Sequence, residues 1–479
     1  MSLKQFTIDF KELGKEKSFR YDFDFINFQN GFLVKRHYSF NDLFSFSSEN
    51  KVDVEKLDDV FFYSEIGNVS KEGNVEPVIL NFNERKKEKE NYYKKIEKGD
   101  IIKVKKNEIL ISKVRPNLKK YVLIDEDNKD YFYTSAFIHL VPKKINKILY
   151  YSFRTIFYQN LIAISRQGKG YPTLKEDDLL YLKFDKKIID RFSAKQDQIV
   201  AQIEPIEKKI KGLKSQIIPA QEIINKVFAR EFKFDLEKFE ELKKIKHYYL
   251  DLYSFGNNKD IRQSVKFHRE AGIFVVKELK KSSDKKIKNF IAGPIVLGKG
   301  VSPKDYDENG DYYYISMANI KNWHFESKET KFVSKDYSDA NQNKTVSQND
   351  ILIARSGEGT IGKVALIEDE ELQGIFADFI IRIRLKNYNP FFAYYYFRMD
   401  YFQYLIEINK KGLGNNTNIF PSQIQEFPMI DIFLKDQQRI VDEIKAELGK
   451  QENMKQTIEA ERNKIEEIIT NITNILQVN

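Results

Sequence analysis

The chain has 479 residues, no cysteine, and 80 Lys plus Arg against 71 Asp plus Glu, giving a formal net charge of +9. The lack of cysteine excludes a disulfide framework, a thiolate zinc site and a thiol nucleophile, and it fits a reducing, cytoplasmic compartment. The five histidines are scattered without ligand spacing, and no apolar run approaches the roughly 18 residues of a membrane span. We therefore expect no metal site and no membrane segment.

The first part of the chain reads as a mixed α/β globule. Short alternating runs of aromatic and β-branched residues, such as Glu108–Lys113 and Tyr121–Ile124, are separated by turn residues. Between these two runs, Lys113–Lys120 contains four basic residues and no acid. This basic stretch is either a contact for a polyanion or an ordinary solvated loop.

A helical pattern follows. Apolar residues step alternately by four and three, which predicts a heptad helix. Its seam residues are Ile199, Ile203, Ile206, Ile210, Leu213, Ile217, Ile224 and Val227. Because Pro205 and Pro219 lie inside this stretch, we expect a kink or a delayed start rather than one straight rod.

The chain then repeats itself. Lys106–Lys113 is matched by Gln348–Arg355 at an offset of 242 residues, and Tyr150–Arg154 by Tyr394–Arg398 at an offset of 244. The sequence therefore predicts two copies of one unit of about 240 residues.

A second heptad pattern closes the second copy. Its seam residues are Ile440, Ile444, Ile458, Ile465, Ile468, Ile472 and Ile475. Each helix could pack on its own domain, but two seams at one register favour pairing with each other. We predict an antiparallel coiled coil, since a parallel pairing needs a connection as long as the rod.

One motif in the second copy imitates a nucleotide site. Gly357–Gly362 fits G-x-G-x-x-G and follows the strand-like run Ile351–Ala354. However, Lys363–Ile367 reads as another strand, so no helix N-terminus is available for a pyrophosphate. We predict a glycine-rich hairpin loop. Adjacent prolines, as in an adenine methyltransferase motif, and a P-loop are both missing from the sequence, so we expect a non-catalytic chain.

The order of these motifs resembles a known family. A strand ending in arginine, Asp350–Arg355, leads into the Gly-rich loop, and Gly412–Thr417, Phe427–Ile430 and Gln437–Val441 follow. This order is similar to that of the specificity subunits of type I restriction-modification systems. The first copy carries a weaker version, and it departs from the pattern at Lys113–Asn117, where no Gly-rich loop is present.

The resemblance implies an α+β fold with two target-recognition domains in tandem, each reading one half of a bipartite DNA target and each followed by a long helix. The predicted segments are 1–195 and 251–435 for the recognition domains, and 196–250 and 436–479 for the spacer helices. Two methyltransferase subunits would dock along the helices, and a restriction and translocase subunit would join them. S-adenosylmethionine, ATP and Mg²⁺ would belong to these partners. A type IIB recognition subunit and, more distantly, a coiled-coil adaptor without a DNA role are the alternatives.

Loops that follow strands can bring Lys and Arg to phosphates and guanine, and Asn or Gln to adenine. In the first copy the candidate DNA-contacting residues are Lys113, Arg115, Asn117, Lys119, Lys120, Arg166, Gln167, Lys169 and Tyr171. In the second copy they are Arg355, Ser356, Glu358, Thr360, Lys363, Lys410, Lys411, Asn415, Asn416 and Asn418. The alternative for each is a solvated loop residue.

Overall fold

The computed structural model describes residues 37–47, 52, 60–81, 86–167, 170–245, 247–253, 264–321, 323–327, 330–357, 359–412 and 417–474. The chain divides into two compact units. Unit 1 contains residues 1–215 and 455–479, and unit 2 contains residues 216–454. This division runs through both predicted spacer segments, and the four-segment division remains a prediction.

The strands of unit 1 are short. They are β1 His37–Ser39, β2 Phe44–Phe46, β3 Val60–Ser64, β4 Val78–Asn81, β5 Ile101–Lys103, β6 Ile109–Ser112, β7 Tyr121–Leu123, β8 Phe132–Thr134, β9 Phe137–Pro142, β10 Arg166–Gln167, β11 Pro172–Thr173 and β12 Lys183–Asp185. One sheet has the order β2–β9–β6–β7, and a second has the order β4–β3–β8–β5 with β3 and β8 parallel. The first sheet forms the centre of the unit, since every residue of β6 is buried.

The described helices of unit 1 lie between these strands and after the last of them. They are α1 Phe40–Leu43, α2 Lys86–Glu97, α3 Asn146–Arg154, α4 Tyr158–Ala163, α5 Glu176–Leu179, α6 Lys186–Ala194 and α7 Gln196–Lys214. Asp185 caps α6 by accepting hydrogen bonds from the main-chain N–H groups of Lys187 and Ile188.

Unit 2 repeats the sheet pattern. Its strands are β13 Val296–Leu297, β14 Tyr312–Ile315, β15 Ile320–Lys321, β16 His324–Phe325, β17 Phe332–Val333, β18 Ile351–Ala354, β19 Val364–Leu366, β20 Gly374–Phe376 and β21 Ile380–Ile383. One sheet has the order β13–β21–β18–β19, and the other the order β17–β14–β20 with β14 and β20 parallel. The predicted mixed α/β fold in two copies is confirmed, because the sheet β2–β9–β6–β7 recurs as β13–β21–β18–β19 and the parallel pair β3–β8 recurs as β14–β20.

The helices of unit 2 are α8 Ala220–Phe232, α9 Leu236–Lys244, α10 Glu270–Lys280, α11 Lys335–Ala340, α12 Pro390–Arg398, α13 Asp400–Asn409 and α14 Pro421–Ile424. The final helix, α15 Leu434–Asn474, contributes residues to each unit. Among the described helices, none has the length and hydropathy needed to cross a bilayer.

The turn before the central strand is the same in both units. Asn107 and Asn349 have φ values of 72° and 71°, in the left-handed region that asparagine tolerates better than most residues. After each of them comes a buried acid, Glu108 or Asp350. The repeated Asn-acid pair therefore ends a turn and begins the buried strand.

The predicted first spacer helix is interrupted. The helix α7 continues through Pro205 to Lys214, and α8 begins only at Ala220, with Pro219 at its N-cap. The break therefore comes at Pro219, whose missing N–H costs nothing at a helix start. A third helix, α9, completes the stretch, so the expectation that it is not one straight rod is confirmed.

Contacts between the helical stretches can be followed inside each unit. In unit 2, the Ile218 N–H donates to the Gln451 side chain at 2.9 Å, while Arg230 pairs with Glu443 at 2.5 Å. Residue numbers rise on one helix as they fall on the other, so α8 and the first part of α15 run antiparallel. In unit 1, Lys209 of α7 pairs with Glu461 of α15 at 2.7 Å.

Most of the predicted heptad-seam side chains are buried or half-buried. Buried are Ile199, Ile203, Ile210, Ile224, Val227, Ile440, Ile444, Ile458 and Ile465. Half-buried are Ile206, Leu213, Ile217, Ile468 and Ile472, while Ile475 lies outside the described residues. Gln451 lies seven residues after Ile444, and Glu461 lies three residues after Ile458, so both continue the heptad spacing. Both are buried and carry the cross-helix bonds just described. A continuous coiled coil remains a prediction.

Candidate nucleic-acid interface

In unit 1, two candidate clusters that are distant in sequence lie side by side. We call residues 113–120, which follow β6, the strand-end loop, and residues 166–174 the partner segment. Val114 bridges Thr173, and the Arg115 N–H donates to the Pro172 carbonyl at 2.9 Å. The Leu174 N–H donates in turn to the Lys113 carbonyl at 2.8 Å. The two basic clusters therefore form one surface.

Unit 2 makes the same contact at equivalent positions. Its strand-end loop is residues 355–363, and its partner segment is residues 411–419. Ser356 bridges Asn418, and the Ile419 N–H donates to the Arg355 carbonyl at 2.9 Å. Asn418 also pairs with Lys411 through main-chain hydrogen bonds of 2.7 and 2.8 Å. The loop pair is therefore a repeated feature of the fold.

The strand-end loop of unit 1 has a fixed main chain. A 3-10 turn, Pro116–Leu118, is bounded by Arg115 and Lys119 with φ values of 51° and 53°. Three side chains donate to main-chain carbonyls of the loop: Tyr121 to Pro116 at 2.8 Å, Tyr158 to Asn117 at 2.9 Å, and Arg154 to Lys119 at 3.0 Å. These bonds hold the left-handed residues in a conformation that the free chain rarely adopts.

The side chains of this loop divide into two groups. Arg115 and Asn117 are exposed, and the Arg115 guanidinium lies 5.2 Å from the ring centre of Tyr171. Lys119 lies 4.5 Å from the ring centre of Tyr158. Such cation–π contacts orient a charge without neutralising it, so it stays available to a phosphate.

Lys113 and Lys120 make intramolecular hydrogen bonds. The Lys113 ammonium donates to the Ser135 carbonyl at 2.9 Å and lies 3.6 Å from Glu176. The Lys120 ammonium donates to the Ile66 carbonyl at 2.8 Å. Their charges contribute to the local potential, but direct contact with DNA would require these bonds to be shared.

Arg166 fastens the partner segment of unit 1. Its guanidinium binds the fully buried Asp178, with Nη2 at 2.8 Å and Nε at 2.9 Å from Oδ1. The hydrogen bond to Asp178 raises the pKa of Arg166. Gln167 pairs with Pro172 in the β10–β11 hairpin, whereas Lys169 lies outside the described residues.

The strand-end loop of unit 2 is a glycine-rich hairpin, because β18 and β19 are neighbouring antiparallel strands. This confirms the hairpin interpretation of the G-x-G-x-x-G sequence. Arg355 lies 5.0 Å from the ring centre of Phe420, and its Nη1 donates to the Asp378 carbonyl at 3.4 Å. Its buried Nε has no hydrogen-bond partner within the described part of the chain.

The other candidates of unit 2 are partly buried or lie outside the described residues. Ser356 is buried and Lys363 half-buried, and the Thr360 hydroxyl donates to the Ser356 carbonyl at 2.7 Å. Lys410 pairs with Glu407 at 2.6 Å, while Lys411 is exposed and Asn418 half-buried. Glu358, Asn415 and Asn416 fall outside the described residues.

Sequence reasoning missed the residues that support these loops. Arg154 recurs as Arg398 in the repeated aromatic motif, and this recurrence was a usable signal for a structural arginine. For Asp178 no pattern in the sequence indicated burial. In the described ranges, no three His, Asp or Glu side chains come together as a metal site.

The matching family model spans residues 285–467 and is described as the type I restriction modification DNA specificity domain. The matched residues include all described strands of unit 2 and most of α15. No curated protein matched the chain.

Several solved structures are similar to the chain. One comes from work on complex assembly and conformational transition of the type I R-M system, with 14% identity and a TM-score of 0.42, covering 91% of this chain and 97% of that chain. The type I restriction-modification S subunit from M. genitalium has 13% identity and a TM-score of 0.40, covering 91% and 95%. The HsdS subunit from Thermoanaerobacter tengcongensis has 13% identity and a TM-score of 0.30, covering 92% and 95%.

Proposed function

We propose that this chain is the DNA specificity subunit of a type I restriction-modification system, and that each unit reads one half of a bipartite target. The observation that carries the proposal is the repeated loop pair. In each unit an arginine of the strand-end loop lies over an aromatic ring, Arg115 over Tyr171 and Arg355 over Phe420. Unit 1 lies largely outside the specificity-domain match, but the order of its β2–β9–β6–β7 sheet and its loop contacts are the same as those of unit 2.

The chemistry of the loops suits a duplex. Exposed cations such as Arg115 and Lys411 can bind phosphates, while Asn117 and Arg115 can donate to base edges. Phosphate contacts set position and affinity, and base contacts set sequence. One unit with two adjacent loops can supply both.

The helices provide the spacing and the docking surface, and partner subunits provide the catalysis. The helices α7, α8 and α15 set the distance between half-sites and dock two methyltransferase subunits, and a restriction and translocase subunit completes the complex. Those partners bind S-adenosylmethionine, ATP and Mg²⁺ in the cytoplasm, and this chain supplies no catalytic group. The match to a type I domain favours this system over a type IIB one.

Methylome sequencing tests the proposal directly. The chain is expressed with the methyltransferase encoded beside it, in a host that lacks other methylation. We expect one motif with two specific halves separated by positions of any sequence. A continuous motif, or no new methylation from a folded complex, would contradict the proposal.

Charge reversal tests whether the units read independently. Arg115→Glu with Lys119→Glu should weaken one half-site, and Lys411→Glu should weaken the other, without changing the preferred bases of the untouched half. Glu in place of Lys186, outside the strand-end loop and partner segment of unit 1, is the matched control. If either loop variant altered both half-sites, the two units would not be separate readers.

The spacer role has its own test. One heptad inserted after Ile210 and another after Gln451 keep each apolar pattern in phase and add about 10 Å of helix. The unread spacer should lengthen by about 3 base pairs, at about 3.4 Å each, with both half-sites unchanged. An active variant that keeps the original spacer would refute the helices as the ruler.

A further inference from the structure

Unit 1 carries a large apolar side chain at the apex of its strand-end loop. Leu118 is 41% exposed, although it lies in the turn whose carbonyls are held by three buried or half-buried side chains. Exposed Arg115 and Asn117 come before it, and Lys119 follows. Because the main chain is fixed, the leucine cannot easily turn inward to escape water.

Unit 2 carries an exposed ring beside its own strand-end loop. Phe379 is 47% exposed on the turn between β20 and β21. That turn is closed by a hydrogen bond of 2.9 Å from the Ile380 N–H to the Ala377 carbonyl. The Phe379 carbonyl accepts from the Arg355 N–H at 3.0 Å, so the ring is attached to the loop that carries the arginine.

The two apolar groups occupy different positions in the repeat. The equivalent of Phe379 in unit 1 is Ala136, whose carbonyl accepts from the Lys113 N–H at 2.9 Å. Ala136 has no ring, and the exposed apolar side chain of unit 1 is instead Leu118, on the strand-end loop. Each unit therefore keeps an exposed large apolar side chain beside its cations, although the position has changed.

We propose that Leu118 and Phe379 are wedges that enter the base stack, each at one step of the half-site its unit reads. The ligand of each is the apolar face of a base pair in duplex DNA. Apolar wedges flanked by cations partly unstack a step, and the phosphate contacts keep the duplex in place while they do so. Transfer of the exposed apolar surface from water to the stack provides the driving force. The inference rests on the proposed function.

The test uses the full chain and a synthetic duplex that carries the methylated motif. A fluorescent adenine analogue, 2-aminopurine, replaces one base at a time, because its fluorescence rises when it is unstacked. We expect a rise at one step in each half-site. Leu118→Ala should abolish the rise in one half-site and Phe379→Ala in the other, each weakening binding by roughly five- to tenfold.

Two exposed residues of the same types provide matched controls. Phe433 and Leu434 are 77% and 53% exposed at the start of α15, outside both loop pairs. Phe433→Ala and Leu434→Ala should leave fluorescence and affinity unchanged. Leu118→Gln and Phe379→Gln serve as second variants, and retained binding at the other half-site reports that each variant is folded.

The possible outcomes distinguish failure of the wedges from failure of the proposed function. A bound duplex without a fluorescence rise, a rise that persists in both variants, or a loss in the same half-site for both would overturn the wedges alone. If the native chain binds no duplex carrying the motif, the proposed function fails and the wedges fail with it.

Discussion

Replacing Arg154 with methionine should release the strand-end loop of unit 1. Arg154 is 6% exposed, and its guanidinium donates to the Lys119 carbonyl at 3.0 Å and to the Lys71 carbonyl at 2.5 Å. Methionine keeps much of the side-chain length but donates no hydrogen bond. Hydrogen bonds from a charged donor contribute about 1.5 to 3 kcal/mol each, so losing two should lower the free energy of opening the loop by roughly 3 kcal/mol.

Hydrogen exchange measures that opening locally. The N–H groups of Leu118, Lys119 and Tyr121 are bonded within the loop at 2.8 to 3.1 Å and should be protected. A loss of roughly 3 kcal/mol corresponds to exchange about 100-fold faster in the peptide that contains them. Recognition of one half-site should weaken in parallel.

Arg398→Met is the control, since Arg398 holds the equivalent position in unit 2. Its Nη1 donates to the Tyr394 hydroxyl at 2.9 Å, and its guanidinium lies near the rings of Trp323 and Tyr394. This variant should leave exchange in residues 118–121 unchanged. If Arg154→Met altered their exchange by less than about threefold, or about 0.6 kcal/mol, the loop would not depend on Arg154.

Three further changes have defined outcomes. Asp178→Ala leaves Arg166 without its buried carboxylate partner. Because breaking a buried ion pair is costly, the free energy of opening the β10–β11 hairpin should fall by about 3 kcal/mol. Amide hydrogen exchange in the hairpin should be faster, and unchanged exchange would contradict this. Hydrogen bonds from Arg439 and then Arg230 lower the pKa of Glu231 below its ordinary value of 4.5. The stabilisation of unit 2 by ionised Glu231 is therefore present above pH 4.5 and is lost as the pH falls through the pKa of the folded state. The urea midpoints of the native chain and of Glu231→Gln should converge on acidification, and midpoints that stay equally far apart would refute the linkage. If each unit neutralises about four phosphates, a plot of log affinity for DNA against log salt concentration should have a slope near −7. A slope near zero would show that the units do not contact phosphates.

Repetition made much of the fold predictable from sequence. The matched runs ending at Lys113 and Arg355 both form a turn followed by the buried central strand, and the strand order around them is the same. The hairpin after Arg355 was also predictable, because Lys363–Ile367 has the pattern of a strand rather than a helix. Local pattern and repeat agree here, and buried strands of this kind carry strong signals.

The partners of individual side chains could not be predicted in this way. Lys113 and Arg166 looked alike as loop cations, yet one donates to the Ser135 carbonyl and the other binds buried Asp178. Basic composition does not distinguish a cation that faces a ligand from one that binds its own fold. That choice depends on contacts between residues distant in sequence, which periodicity does not report.

At equivalent positions, the two units have the same backbone arrangement but different side chains and different side-chain partners. The buried acid before the central strand is Glu108 in unit 1, bound to His139 at 2.6 Å, and Asp350 in unit 2, bound to Arg384 at 2.7 Å. The strand-end loops differ in the same way.

In unit 1, donated side-chain hydrogen bonds fix the strand-end loop, whereas in unit 2 Gly357 and Gly362 adopt φ values of 86° and 85° that a side chain would resist. What stays constant is the contact between the strand-end loop and the partner segment, which depends on main-chain bonds and so differs little when the side chains at the contact change. A scaffold that fixes loops through their main chain leaves their side chains free to diverge, and so one repeated fold can present two different surfaces.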